Sequence, residues 1–101
     1  MIIKSFAVAK NTLIDIIEEG EPFNLNEACD KIIANGGVLR LAPAYSVNDY
    51  MEDLQQNRVI FFNGCTSKYQ RCDKEMQELA SEDEAKEMAR NRYLLLSKIN
   101  I

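Results

Sequence analysis

Residues 46–64, SVNDYMEDLQQNRVIFFNG, decide the fold of this chain. Ser46 can cap a helix because Asp49 follows three residues later, and apolar side chains then recur at helical spacing. A β-branched and aromatic run comes next and meets Asn63-Gly64, a dipeptide that strongly indicates a β-hairpin. The stretch therefore predicts a helix that leads directly into a hairpin. The helix should bury one apolar stripe: Val47, Tyr50, Met51 and Leu54.

Two further helices are predicted upstream of this stretch. The first spans residues 6–19, where apolar side chains recur every three or four positions. The second begins after Asn24, which can cap it because Glu27 lies at capping distance. Its apolar stripe continues until Gly36-Gly37, a pair typical of a helix C-terminus.

The segments on either side of the central stretch are less regular. Residues 38–42 fit either a short strand or an irregular turn. Residues 73–101 are predicted to be helical, and the helix can restart at Ser81, which has Glu84 at capping distance. The predicted fold class is therefore α+β, mainly α-helical with a small β-hairpin. The length of 101 residues suits one domain with one core.

The apolar stripes of these elements are expected to meet in a single core. Each predicted helix has an apolar stripe to bury, and the hairpin offers a surface against which those stripes pack. The expected core residues are Leu25, Ile32, Ile33, Tyr50, Leu54, Ile60 and Phe62.

This order of elements resembles the winged-helix domains. The resemblance rests on a third helix over residues 46–57 that runs into an apolar strand, with Leu54 near its end and Tyr69 in the returning strand. It covers residues 6–71 and treats the C-terminal helix as an addition. It implies a three-helix core, a third helix that enters the major groove of duplex DNA, and a hairpin, the wing (residues 58–71), that touches phosphates. The DNA contacts expected on this basis are Ser46, Asn48, Gln55, Arg58, Lys68, Gln70 and Arg71.

The charge distribution keeps a second function open. The formal net charge is -4, although the wing contains basic residues and no acidic one. The outward face of the third helix carries Asp49, Glu52 and Asp53, and carboxylates repel phosphates. Two functions therefore fit the sequence. One is a DNA-binding transcriptional regulator, and the other is an acidic adaptor or inhibitor, of the viral or mobile-element type, that binds a host or regulatory protein.

Several residue types needed for catalysis are missing. The chain has no His, which excludes Ser-His-Asp and Cys-His catalysis and the usual imidazole metal sites. Its glycines do not form a phosphate-binding loop. Cys29, Cys65 and Cys72 are too few and too far apart for a typical zinc site, so we expect free thiols. We expect no enzymatic activity, no metal and no cofactor.

The sequence also indicates where the protein acts. It contains no apolar run near the roughly 20 residues that span a bilayer. It shows no secretory leader either. We therefore expect no membrane partner and a cytoplasmic location, in the cell that encodes the protein or in a host cell.

The C-terminal helix predicts a homodimer. Its apolar stripe lies beside a second apolar strip at Tyr93 and Leu94, whereas a helix that packs only on its own domain needs one stripe. The alternative is a monomer in which one strip covers the hairpin and the other packs on the first helix. The expected dimer contacts are Ala85, Met88, Ala89, Leu95, Leu96 and Ile99.

Overall fold

The computed structural model describes residues 4–42 and 45–100, and these contain five helices and two antiparallel hairpins. The helices are α1 (Lys4–Glu19), α2 (Leu25–Ala34), α3 (Val47–Gln56), α4 (Lys74–Gln77) and α5 (Glu82–Leu95). The strands are β1 (Arg40–Ala42), β2 (Tyr45–Ser46), β3 (Ile60–Asn63) and β4 (Lys68–Arg71). The predicted α+β class, with three helices followed by a hairpin and a further C-terminal helix, is confirmed.

Side-chain caps begin three of the helices where the sequence predicts. Asn24 before α2 and Ser81 before α5 each accept a hydrogen bond from the backbone N–H three residues further on. Before α3, Ser46 and Asp49 form a reciprocal capping box, in which the Ser46 N–H donates to Asp49 Oδ2 over 2.8 Å. These bonds satisfy N–H groups that a helix cannot pair internally, and they fix where each helix starts.

The core forms between α1, α2, α3 and the base of the β3–β4 hairpin. Four of the predicted core residues, Ile32, Tyr50, Leu54 and Ile60, are buried, and Leu25 packs at the edge of the core. α1 contributes the largest share, with buried side chains on more than one face. Its buried residues are Ala7, Ala9, Thr12, Leu13, Ile14, Ile16 and Ile17.

Two predicted core residues lie outside the core. Ile33 is 58% exposed, because α2 buries the face of Ala28 and Ile32, and Ile33 lies about 100° further around the helix. Phe62 is 50% exposed, because it lies near the far end of β3, away from the helices. Its ring packs edge-on against Tyr69 at 5.2 Å between centroids. The prediction was wrong at both positions.

Two separate pairs of strands form the β-structure. β1 pairs with β2, so the open question at residues 38–42 resolves as a short strand that does not pair with the wing. β3 pairs with β4 in a register that sets Ile60 opposite Arg71 and Asn63 opposite Lys68. Asn63 therefore ends β3, and the turn occupies residues 64–67.

The segment between α1 and α2 ties the wing to the helical core. Phe23 N–H donates to the Tyr69 carbonyl oxygen over 3.0 Å, and Tyr69 N–H donates back to Phe23. The two rings lie 5.8 Å apart. Because Tyr69 belongs to β4, this strand has β3 on one side and Phe23 on the other.

The C-terminal segment is helical over a shorter span than predicted. α5 ends at Leu95, and the chain then crosses α1 without helical structure up to the last described residue, so the prediction of helix at Ile99 was wrong. Asn11 Nδ2 donates to the Ile99 carbonyl oxygen, and Ile99 N–H donates to Asn11 Oδ1, both over 2.8 Å. Lys98 forms an ion pair with Asp15. These contacts with α1 favour an extended tail over another helical turn. Ile101, the end of the predicted helix, lies outside the described residues.

Candidate nucleic-acid and protein interfaces

Two basic residues predicted to contact phosphates are engaged within the chain. Arg58 Nη1 donates to the carbonyl oxygen of Met76 over 3.0 Å, and the backbone of Arg58 adopts the left-handed conformation with φ 57°. Lys68 Nζ lies 3.9 Å from Glu27 Oε1 on α2. Arg58 therefore joins the wing to α4, while the ammonium group of Lys68 lies near a carboxylate.

The other two predicted wing contacts differ in their availability. Gln70 accepts a hydrogen bond from Asn63 Nδ2 across the hairpin over 2.7 Å. Arg71 is exposed, and its side chain makes no hydrogen bond or ion pair with the rest of the described chain. Of the three basic wing residues, Arg71 alone is unengaged within residues 4–42 and 45–100.

The predicted contacts on α3 are also divided between structural and exposed positions. Ser46 is half-buried and serves in the capping box with Asp49. Gln55 is half-buried, and its Nε2 lies 3.4 Å from the Met51 carbonyl oxygen. Asn48 is exposed. The structure thus leaves Asn48 as the most accessible of the predicted base-reading side chains.

Three carboxylates of α3 set the electrostatics of this helix. Hydrogen bonds from the backbone and side chain of Ser46 hold the pKa of Asp49 below its ordinary value. Asp53 accepts a hydrogen bond from the Tyr45 hydroxyl, and burial together with this bond raises the pKa of Tyr45. Glu52 is exposed. The capping box and the Tyr45 bond thus hold two of these acidic groups in fixed positions.

α5 lies alongside α3 and is joined to it by polar contacts. Asn57, just after α3, accepts a hydrogen bond from Asn91 Nδ2 at its side-chain oxygen over 3.0 Å. Its carbonyl oxygen accepts another from Arg92 Nη1 over 3.1 Å. The Tyr50 hydroxyl donates to the Leu95 carbonyl oxygen. These contacts join the C-terminal half of α5 to the end of α3 and to the Tyr50 hydroxyl.

Two adjoining cavities lie between these helices, and we call them together the α3–α5 groove. They share Asn57 and Asn91 as lining residues. The first, of about 320 Å³, is lined by Asp53, Asn57, Asn91, Leu94 and Leu95. The second, of about 250 Å³, is lined by Gln56, Asn57, Glu84, Glu87, Met88 and Asn91.

One end of the groove carries two exposed carboxylates, and the other combines the apolar Leu94 and Leu95 with Asp53, whose carboxylate accepts a hydrogen bond from the Tyr45 hydroxyl. Glu84 and Glu87 are exposed near the N-terminus of α5, whereas Leu94 is 58% exposed near its C-terminus. Among the described residues, none that lines the two cavities is basic, although the Arg92 guanidinium bonds to the carbonyl oxygen of Asn57 beside them. Sequence reasoning missed this site because it depends on how α5 packs. A usable signal was present, since Glu84, Glu87, Asn91 and Leu94 recur at helical spacing.

The stripe predicted to form a dimer interface does not lie on one free face. Leu95 and Leu96 pack against the core of their own domain, and Ile99 is bonded to Asn11. All three therefore contact their own domain, as the alternative of a monomer expects, although Leu96 and Ile99 lie beyond the end of α5. The remaining stripe residues are Ala85 and Met88, which are half-buried, and Ala89, which is exposed.

The three cysteines are free thiols at separate places. Cys29 packs half-buried against the core, Cys65 is exposed in the wing turn, and Cys72 is half-buried just after β4. Burial raises the pKa of Cys29 and of Cys72. Across the described residues, no three His, Cys, Asp or Glu side chains are grouped so that they could hold a metal ion. Within the same residues, no helix has the length and apolar character needed to span a membrane.

Comparison with known proteins gives no match. No protein-family model fits the sequence, no curated protein is similar to it, and no solved structure matches its fold.

Proposed function

We propose that this chain is a non-enzymatic adaptor or inhibitor that binds a basic partner protein through the acidic surface of α3 and α5. The observation that carries the proposal is the α3–α5 groove, in which Asp53 lines one cavity, Glu84 and Glu87 line the other, and the described lining residues include no basic side chain. Glu52 adds an exposed carboxylate on α3. A surface of one charge attracts partners of the opposite charge and steers their encounter.

The contacts that the basic wing residues make within the chain favour a protein partner over DNA. Binding to duplex DNA gains most of its affinity when Lys and Arg side chains displace counterions from phosphates. Arg58 is bonded to a carbonyl oxygen, and Lys68 lies near Glu27. To bind a phosphate, Lys68 would move away from Glu27, and Arg58 would have only the donors that do not bond to Met76.

The scaffold that we propose for this surface is winged-helix-like. Three helices are followed by the hairpin in the order that the resemblance implies, and the connector at Phe23 is paired with β4. In this scaffold α3 occupies the position of the recognition helix. We propose that its outward face meets a protein instead of the bases of DNA. Homodimerisation and a cytoplasmic location stay predictions.

A second candidate function is DNA binding through the wing. It is favoured by Arg71, whose exposed side chain has no partner within the described residues, and by Asn48, which is exposed on α3. Lys68 could join them because its side chain is 41% exposed and its ion pair with Glu27 is long. Such surface ion pairs are worth only about 0–1 kcal/mol.

Fluorescence anisotropy with a labelled mixed-sequence duplex separates the two functions. At about 50 mM salt, where sequence-independent attraction to DNA is strong, we expect no binding up to protein concentrations of tens of micromolar. Binding that weakens in a Lys68→Ala/Arg71→Ala variant and loses salt dependence would contradict the adaptor and support the second candidate. The same titration with that variant is therefore run in parallel.

A capture experiment tests the protein partner itself. The purified chain, a Glu52→Arg variant and a Glu19→Arg variant are used as baits in extracts of the native cell. Both variants change the charge equally at an exposed site, but Glu19 lies on α1 outside the acidic surface. The adaptor predicts a protein retained by the parent and by Glu19→Arg and lost with Glu52→Arg. Equal retention by all three baits would contradict a role for α3.

A further inference from the structure

We propose that the α3–α5 groove docks an amphipathic helix of the partner that carries a basic and a large apolar side chain two turns apart. This inference rests on the proposed function and adds to it the class of ligand and the place where it binds. The groove has two chemically different ends, and their separation along α5 sets the spacing of the ligand. Short helices that bind through such anchors are a common mode of protein recognition.

The acidic end of the groove has negative charge that the chain does not neutralise. Glu84 and Glu87 are exposed, and neither forms an ion pair within the described part of the chain. Lys86 on the same helix pairs instead with Glu82, which does not line the groove. A cation of the ligand would therefore meet two free carboxylates. Arginine suits this position best, because its planar donors can bind both oxygens of a carboxylate.

The apolar end lies at a defined distance from these carboxylates. Leu94 is seven residues beyond Glu87, which corresponds to two helical turns and roughly 10 Å along α5. Leu94 is 58% exposed and lines its cavity together with the half-buried Leu95. An apolar side chain of the ligand that covers Leu94 would remove both surfaces from water.

The size of the two cavities determines how the ligand enters. They are open depressions of about 320 and 250 Å³, each large enough for a side chain, whereas a helix is about 10 Å in diameter. The ligand helix therefore lies across the mouth of the groove and inserts one side chain into each cavity. Asn57 and Asn91, which line both cavities, bond to each other through Asn91 Nδ2 and Asn57 Oδ1.

Designed peptides provide the probe. The test peptide is an alanine-rich helix, acetylated and amidated, with one arginine and one leucine seven positions apart. Two further peptides replace the arginine by glutamine or the leucine by alanine. In an NMR titration, we expect the test peptide to shift the side-chain amides of Asn57 and Asn91 and the methyl groups of Leu94. Each altered peptide should bind at least about threefold more weakly.

Matched variants of the protein test whether binding depends on the groove. Glu84→Gln/Glu87→Gln should weaken binding of the test peptide about fivefold, since two surface ion pairs are lost. Glu82→Gln/Asp83→Asn removes the same charge from the same helix outside the groove and should weaken it less than twofold. Leu94→Ser should likewise weaken binding more than Tyr93→Ser does. Tyr93 is exposed as well, but it does not line the groove. Circular dichroism confirms that each variant is folded.

The outcomes separate this inference from the proposed function. Equal weakening by the two carboxylate pairs would overturn the groove as the site, while capture of a protein that depends on Glu52 would still support the adaptor. Absence of peptide binding would also overturn the docked helix. Binding of duplex DNA through Lys68 and Arg71 would instead contradict the proposed function. Selective loss with Glu84→Gln/Glu87→Gln and with Leu94→Ser supports the inference.

Discussion

The helical core and α5 are held in place by different forces. In the core, Leu13, Ile32 and Leu54 are completely buried and pack between three helices and the wing. α5 contains no buried residue and is attached by hydrogen bonds and by the partly buried Leu95. Because apolar burial supplies most of the stability of a fold, the core should remain folded when contacts of α5 are lost. The difference suggests that α5 shapes a surface more than it supports the fold.

The same substitution in the two regions should give very different results. Leu54→Ala removes a completely buried side chain and should lower the free energy of unfolding by about 2–5 kcal/mol. Leu94→Ala removes an exposed side chain of the same type and should change it by less than about 0.5 kcal/mol. Urea unfolding followed by circular dichroism measures both. If both variants lose a similar free energy of unfolding, α5 contributes to stability as the core does, and the two regions do not differ in this respect.

Asn11→Ala tests how the C-terminal tail is fastened to α1. Asn11 makes two hydrogen bonds with the backbone of Ile99, each worth about 1 kcal/mol. We therefore expect the free energy of unfolding, measured in urea, to fall by about 2 kcal/mol. The accompanying NMR changes should be confined to the tail and the adjacent turns of α1 and α5. Asn26→Ala, at an exposed position on α2, is the control. Spectral changes throughout α2 and α3 would mean that the tail belongs to the core.

The capping box of α3 makes the stability of the core depend on pH. The pKa of Asp49 is below its ordinary value in the folded chain, so its contribution is present above about pH 4, the unfolded value, and is lost as pH falls through the folded value. Asp49→Asn should therefore show a shallower loss of stability below pH 4 than the parent chain. Asn48→Ala, at an exposed position on the same helix, should leave the dependence of stability on acid pH unchanged, because it removes no carboxyl group. If the free energy of unfolding falls with pH in the same way for the parent and for Asp49→Asn, the account of the capping box is contradicted.

Local signals in the sequence were sufficient for the helix starts and the hairpin. Ser46 and Asp49 bond to each other across one helical turn, so four residues of sequence contain the whole interaction. Burial was harder to predict at Ile33 and Phe62. Ile33 lies beside the buried face of α2, and Phe62 lies near the end of β3 away from the helices, so the burial of both depends on how the elements pack.

The functional site was harder to predict from the sequence than the fold was. Arg58 was expected to face phosphates, but its partner is a carbonyl oxygen 18 positions away, and no local pattern indicates that pairing. The α3–α5 groove depends equally on distant contacts, since Asn57 and Asn91 are 34 positions apart. The acidic character of α3 was evident from the sequence, and it is the part of the prediction that the proposed function keeps.

Native-state hydrogen exchange tests the difference between the two regions most directly. Amides in α3, such as that of Leu54, should exchange only through global unfolding, whereas amides in the middle of α5, such as that of Asn91, should exchange through local opening. We expect the free energy of opening to be at least about 2 kcal/mol lower in α5 than in α3, because α5 contains no buried side chain. Equal values in the two helices would contradict the account, since α5 would then be part of the cooperative core.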